Sequence, residues 1–258
     1  MKTNTLPKSF VAVLRRIPLF RSLLLASAFL ATSASHAFYD AFPPRYSYES
    51  GPPGTSYPWI GEDFEAYSNG FLIECSSNKA RMSHLDVTSG CLYSKYAGTW
   101  RRGWTTTYNF RAVAIGWKNG KKIKWTDQVP QYRAYIDSWQ AGATATSGLH
   151  IFGRYRTSDD LYVASVRRDG LATIKRKWNG VYTTLAQTSL PASLLDANGQ
   201  LKTGVWITLR FSIIGNQLKF SVNGTQILST TSGTFSWGTT GIRTDYVNAY
   251  LDDWKLVY

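Results

Sequence analysis

The sequence predicts an all-β protein, a two-sheet antiparallel β-sandwich of jelly-roll type, and three observations lead there. Asn-Gly and Asp-Gly pairs recur between short alternating runs, helix start and stop signals are almost absent, and 38 of the 258 residues are Phe, Trp or Tyr.

The chain opens on "MKTNTLPKSFVAVLRRIPLFR", which carries Lys2, Lys8, Arg15, Arg16 and Arg21 with no acidic residue, and an apolar run "SLLLASAFLATSASHA" follows. A basic start, a short Ser-containing apolar run and small residues at Ser35 and Ala37 predict a signal peptide over residues 1–37, cleaved after Ala37. The run is too short for a comfortable membrane span, and no later one is longer, so a secreted or periplasmic product with no membrane span is expected. Five of the 29 Lys and Arg belong to this leader, which leaves 24 against 16 acidic residues. A basic surface of that kind suits an acidic polysaccharide, an anionic envelope or a nucleic acid. No recognition-helix pattern, RNA-binding signature or paired zinc ligands accompany it, so no nucleic-acid partner is expected.

Residues 38–57, "FYDAFPPRYSYESGPPGTSY", are rich in Pro, Gly, Ser and Tyr without a strand or helix period and read as an extended arm. From residue 58 to residue 258 strands and turns run unbroken, which predicts one domain. Cys75 and Cys91 are the only cysteines. In an oxidising compartment they are expected to form a disulfide, since two cysteines alone cannot complete a zinc shell.

Asn119-Gly120, Asp169-Gly170, Asn179-Gly180 and Asn223-Gly224 each lie between alternating runs, as in two-residue hairpins. "SLPASLLDANGQL", with Pro191 near its start and Gly199 near its end, is the one place for a short helical turn. Reading Asp169-Gly170 as a two-residue turn pairs Arg168 with Leu171, Ala164 with Lys175 and Tyr162 with Lys177. Leu161, Val163, Ser165, Ala172 and Ile174 then face the core. The turn at Asn179-Gly180 adds Lys177 opposite Tyr182, Lys175 opposite Thr184 and Ile174 opposite Leu185. On the strand before, Leu149 and Ile151 point inward, leaving His150 and Arg154 outward. The expectation is a basic, aromatic sheet face bearing His150, Arg154, Tyr162, Lys175, Lys177 and Tyr182. "QYRAYIDSW" adds either Tyr132 or, in the other phase, Arg133, Tyr135 and Asp137, and alternation alone leaves that phase open.

Aromatic rings stack on the C–H faces of sugars, and Arg and Lys pair with carboxylates, so this face suits an acidic glycan. A non-catalytic binding protein, without a cofactor requirement and monomeric, is one expectation. The other is a polysaccharide lyase, in which Arg154 neutralises a uronate carboxylate while His150 and Tyr162 serve as base and acid. Glycoside hydrolysis is disfavoured, because Glu49, Glu62, Glu65 and Glu74 are the only glutamates and all precede the central strands.

The closing portion carries a resemblance. "GVWITLRFSIIGNQLKFSVNGTQIL" and "GTTGIRTDYVNAYLDDWKLVY" are similar to the last strands of the concanavalin A-like jelly rolls of laminin-G-like and glucanase type: Trp206, Leu209 and Arg210 precede a Val-Asn-Gly hairpin, and Gly-Ile-Arg precedes a final Asp-Asp strand. The superfamily holds lectins, carbohydrate-binding modules, hydrolases and lyases, so the resemblance implies fold more than chemistry. It implies that the face above is the ligand groove. "GLHIFGR" retains the His of the alginate-lyase Gln-x-His strand, but Gly148 stands where that motif has Gln. In that superfamily first and last strands are commonly adjacent, which implies that Glu62 and Asp63 meet Asp252 and Asp253 in a structural calcium site.

Overall fold

A computed structural model describes residues 59–62, 72–77, 85–97, 100–114, 117–118, 121–122 and 124–257. The predicted leader (1–37), the arm (38–57) and Asp63 lie outside the described residues. The strands, in chain order, are β1 (Trp59–Glu62), β2 (Leu72–Cys75), β3 (Leu85–Ser89), β4 (Cys91–Ala97), β5 (Trp100–Thr105), β6 (Asn109–Ala114), β7 (Trp117–Lys118), β8 (Lys121–Lys122) and β9 (Val129–Trp139). They continue with β10 (Gly148–Thr157), β11 (Asp160–Arg167), β12 (Leu171–Trp178), β13 (Val181–Ser189), β14 (Trp206–Ile214), β15 (Gln217–Val222), β16 (Thr225–Thr231), β17 (Thr239–Asp245) and β18 (Val247–Val257). A 3-10 turn at Ala192–Leu194 is the helical turn expected after Pro191.

Two antiparallel sheets make the expected sandwich. One runs β16-β15-β14-β9-β18-β5-β4-β2, with β1 also on β18, and the other runs β13-β12-β11-β10-β17-β6-β3. Each inner face comes from period-2 alternation: Tyr132, Ala134 and Ile136 on β9 and Ile207, Leu209, Phe211 and Ile213 on β14 meet Leu149, Ile151, Ala164, Ile174 and Ile242 of the opposite sheet. The core is therefore one continuous apolar layer, and the two outer faces are left for chemistry. No helix among the described residues is long and apolar enough to cross a membrane.

Three of the four predicted hairpins have the expected strand register: Lys118 pairs Lys121, Trp178 pairs Val181 and Val222 pairs Thr225. Asn179 and Asn223 adopt positive φ, as such turns require. The fourth does not. On β11 and β12, Leu161 pairs Lys177, Tyr162 pairs Arg176, Val163 pairs Lys175 and Ser165 pairs Thr173, so Arg168, Asp169 and Gly170 form a three-residue loop. The amide of Gly170 closes a turn onto the Arg167 carbonyl, Gly170 itself sits at φ 77°, and the Asp169 carboxylate accepts the Leu171 amide at 3.3 Å. Because side chains alternate, that one added residue exchanges the two faces of β11 relative to β12. Tyr162 goes inward, and Leu161, Val163 and Ser165 go outward, opposite to expectation. A bulge between Ile174 and Lys175 then pairs Ile174 with Ala186 rather than with Leu185, while Lys175 keeps Thr184 and Lys177 keeps Tyr182.

Candidate functional site

The outer face of the seven-stranded sheet is where the sequence reading expects the ligand-binding residues. Its floor is apolar: Phe152, Leu161 and Val163 are buried in a cluster separate from the main core, with Tyr155 against it and the Phe152 and Tyr155 rings stacked at 5.7 Å. Cross-strand register sets His150 between Ser165 on β11 and Arg243 on β17, and carries the row on to Arg111 and Thr173.

His150 is nearly buried. Its Nδ1 lies 2.8 Å from the Ser165 hydroxyl, and its Nε2 is 3.2 Å from Asp245 Oδ2, within ion-pair range but out of line for a hydrogen bond. Arg243 Nε donates to Asp245 Oδ1 at 2.6 Å and its Nη2 to Asn109 Oδ1 at 2.9 Å. Burial pushes the Asp245 carboxyl upward, but the nearby His150 and the charge and hydrogen bond of Arg243 outweigh it and hold the group below its ordinary value. The Thr173 hydroxyl in the same row is buried, with no hydrogen-bond partner among the described residues.

Lys175 stands over the Val163 position. It is half-buried, makes no hydrogen bond or ion pair among the described residues, and has the Tyr182 ring 6.0 Å from its ammonium. Burial, then the nearby Arg167 charge, lower its pKa, with Asp169 opposing. Lys177 differs: its ammonium donates to the Ser158 carbonyl at 3.0 Å and pairs with Asp159 at 2.8 Å, while resting 5.2 Å from the Tyr182 ring.

Arg154 and Tyr162 are corrections to the expected set. Arg154 sits at φ 45° in an irregularity of β10, where register with both neighbours shifts, and this turns its side chain inward. Its guanidinium donates to the carbonyls of Thr126 (2.9 Å), Phe235 (2.6 Å) and Gly215 (2.5 Å), and it is 2% exposed. Those donors are spent on tying loops together. Tyr162 is fully buried. Its hydroxyl is 2.9 Å from Ser232 Oγ and accepts the Phe235 amide at 3.1 Å. Neither group is on the face with His150, so the expected base, acid and neutraliser do not converge.

Arg133 and Tyr135 are also reassigned. β9 belongs to the nine-stranded sheet, with Tyr132 in the core donating to the His150 carbonyl at 3.1 Å, so Arg133 and Tyr135 lie on the opposite outer face of the sandwich.

At the expected calcium position, Glu62 pairs in register with Trp254, next to Asp253, and the first and last strands are adjacent as anticipated. The two Asp carboxylates face arginines. Asp252 Oδ2 lies 2.6 Å from Arg102 Nε and 2.5 Å from Arg133 Nη2, and Asp253 Oδ2 lies 2.5 Å from Arg133 Nε. Burial and the Asp253 charge push the Asp252 carboxyl up to about 7 against the pull of both arginines. No group of three metal-ligating side chains occurs among the described residues. A guanidinium pair already supplies the positive charge a cation would bring.

Cys75 and Cys91 are direct register partners on β2 and β4. The amide of Ser76 donates to the Gly90 carbonyl at 3.0 Å, so the Cys pair falls at the narrow, non-hydrogen-bonded position.

The residues that sequence reasoning missed on this face are Ser165, Thr173, Arg243 and Asp245. "GIRTD" does alternate, with Ile242 inward and Arg243 and Asp245 outward, but nothing local says that β17 pairs with β10 across a long connection.

No family model matches the sequence, and no curated protein matches it. Among solved structures, the carbohydrate binding module CBM66 from Bacillus subtilis superposes with a TM-score of 0.51 at 12% identity, covering 68% of this chain and 96% of that one. Domain 4 of AbnA, a GH43 extracellular arabinanase from Geobacillus stearothermophilus in complex with arabinotriose, gives 0.44 at 11%, covering 74% of this chain and 93% of that one. Sheep galectin-11 in complex with glycerol gives 0.37 at 13%, covering 60% and 97%. The likeness to the CBM66 module shows a shared sandwich fold; the other two superpose too loosely to add to it.

Proposed function

We propose that this protein is a secreted carbohydrate-binding protein that holds an acidic polysaccharide on the outer face of the seven-stranded sheet. The observation that carries the reading is Lys175, a half-buried ammonium that makes no ion pair among the described residues, at the edge of an apolar floor made by Phe152, Val163 and Leu161. A desolvated cation beside apolar surface is costly unless something negative completes it. A uronate supplies that charge with its carboxylate against Lys175, and the exposed Tyr182 ring beside the ammonium offers a surface for its C–H face. The Ser165–His150–Asp245 chain alongside offers hydroxyl-binding groups held in fixed orientation. The fold also hosts carbohydrate recognition in the CBM66 module, as that protein's name states.

Affinity electrophoresis of the purified protein through gels containing a polyuronate or a neutral glucan tests this. The polyuronate gel should retard the protein, and Lys175→Ala should weaken that retardation about tenfold or more, as expected for a charge-assisted contact. Lys175→Arg should retain most of it. No retardation on any polyuronate, or none lost in Lys175→Ala, overturns the proposal. A rise in ultraviolet absorbance from unsaturated sugar would replace a binder by a lyase.

A further inference from the structure

The other outer face carries a different pattern. In register across adjacent strands of the nine-stranded sheet, Trp206 pairs Tyr135, Tyr135 pairs Tyr250, Tyr250 pairs Trp104 and Trp104 pairs Tyr93. Five aromatic side chains therefore form one row at right angles to the strands of β14, β9, β18, β5 and β4. Successive centroids lie 5.7, 6.0 and 4.4 Å apart from Trp206 to Trp104. These rings are on the solvent side of strands whose alternate residues, Ile207, Ala134, Ala249 and Leu251, already fill the core. The sandwich does not need them to close its interior.

We infer that this aromatic row is a second carbohydrate site, for an uncharged pyranose chain laid across the strands. The spacing of neighbouring strands, about 4.8 Å, sets the ring repeat and is close to the length of one pyranose unit. The next row on one side consists of charges that are already settled: Arg133 and Arg102 are met by Asp252 and Asp253. Arg133 also rests 4.8 Å from the Trp206 ring centroid, and the Lys95 ammonium 3.9 Å from that of Trp104. The cations thus lie over the rings on one side, and the two arginines are already met by carboxylates. On the other side of the row lie Asn248 and Ser138, joined by a 2.9 Å hydrogen bond, and exposed Asp137. An apolar strip between two polar rims matches a sugar ring, apolar on its C–H faces and polar at its edge.

The width of the strip separates this occupant from a second copy of the chain. It is one residue wide, and four of its five rings are no more than partly exposed. Five such rings offer far less than the roughly 800 Å² per partner of a stable protein interface.

The test uses electrophoresis of the full protein through soluble neutral β-glycans (glucan, mannan, xylan) and, in parallel, through a polyuronate. At least one neutral glycan should retard the protein, and Trp206→Ala should weaken that retardation about tenfold while leaving polyuronate retardation unchanged. Tyr93→Ala, at the most exposed end of the row with 37% of the residue accessible, guards against misfolding and should weaken it several-fold. Lys175→Ala should show the reverse pattern, so failure of one site is read apart from failure of the other. No retardation by any neutral glycan, unchanged retardation in both aromatic variants, or a dimer that Tyr93→Ala converts to monomer in sedimentation would overturn the inference.

Discussion

Tyr162→Phe separates the observed register from the one that the local turn suggests. In the structure the hydroxyl is enclosed: it reaches Ser232 Oγ at 2.9 Å and the Ser232 carbonyl at 3.2 Å, and it accepts the Phe235 amide at 3.1 Å. Its single proton serves one of the two Ser232 acceptors, so the substitution removes one donated and one accepted bond. It also leaves the Phe235 amide buried without a partner. A neutral hydrogen bond contributes about 1 kcal/mol and an orphaned buried donor costs about 1–3 kcal/mol, which together predict a loss of about 2–4 kcal/mol. With a urea dependence of about 2 kcal/mol per molar, the unfolding midpoint should fall by roughly 1–2 M. Glycan retardation below the transition should be unchanged, since the ring stays packed against Phe235. A midpoint shift worth less than about 0.5 kcal/mol would place the hydroxyl in solvent, as in the shifted register, and refute the assignment. Intact folding with lost turnover of a polyuronate would restore Tyr162 to catalysis.

Other expectations follow from the same geometry. Gly148→Ala should destabilise by several kcal/mol in urea titration, because an added Cβ would stand 2.2 Å from the Val166 carbonyl oxygen at a φ of 153°. Arg154→Lys should cost more than about 2 kcal/mol by the same assay, since one ammonium cannot reach all three carbonyls that the guanidinium fork now satisfies. The Asp252 carboxyl, ordinarily at 3.8 and here pushed up to about 7, holds its proton more tightly folded than unfolded. Its contribution is therefore complete below pH 3.8 and is lost as pH rises to about 7. Asp252→Asn should flatten that decline in a pH series of thermal melts. We propose the Cys75–Cys91 disulfide from their narrow-pair register, and thiol titration of the denatured, unreduced protein should find no free thiol.

The architecture was legible because alternation and Asn-Gly turns are local signals. Asn179-Gly180 and Asn223-Gly224 act through their own backbone angles and needed no help from the rest of the chain. Asp169-Gly170 misled for a tertiary reason. Its loop is bound to other segments: the Arg168 amide donates to the Ser147 carbonyl at 2.8 Å, the Leu201 amide to the Arg168 carbonyl at 3.0 Å and the Leu190 amide to the Gly170 carbonyl at 2.8 Å. Those bonds stabilise a three-residue loop, and no hairpin rule includes them. The face assignment then inverted on β11 alone, while Lys175, Lys177 and Tyr182 on the next hairpin stayed where Asn179-Gly180 placed them. Arg154 was hidden by its positive φ, which alternation has no means of announcing. Tyr135 and Arg133 were recognisable as ligand-type residues, but strand order, set by pairings such as β9 with β14 and β18, decides which sheet they serve.

That separation into two sheets governs how binding should combine. Stacked sheets stand about 10 Å apart, and the Lys175 face and the Trp206 row look outward in opposite directions. One stiff polysaccharide cannot lie on both faces at once, so the two sites do not reinforce each other on a single chain, and an effective-concentration gain is geometrically forbidden. Each variant should therefore weaken retardation for its own ligand class and leave the other class unchanged. In the proposed reading the chemistry divides the same way: an ammonium that makes no ion pair among the described residues faces one side, and a row of aromatic rings faces the other. Soluble acidic glycan added to the neutral-glycan gel should consequently leave mobility unchanged, whereas competition between them would mean that both ligands meet on one face.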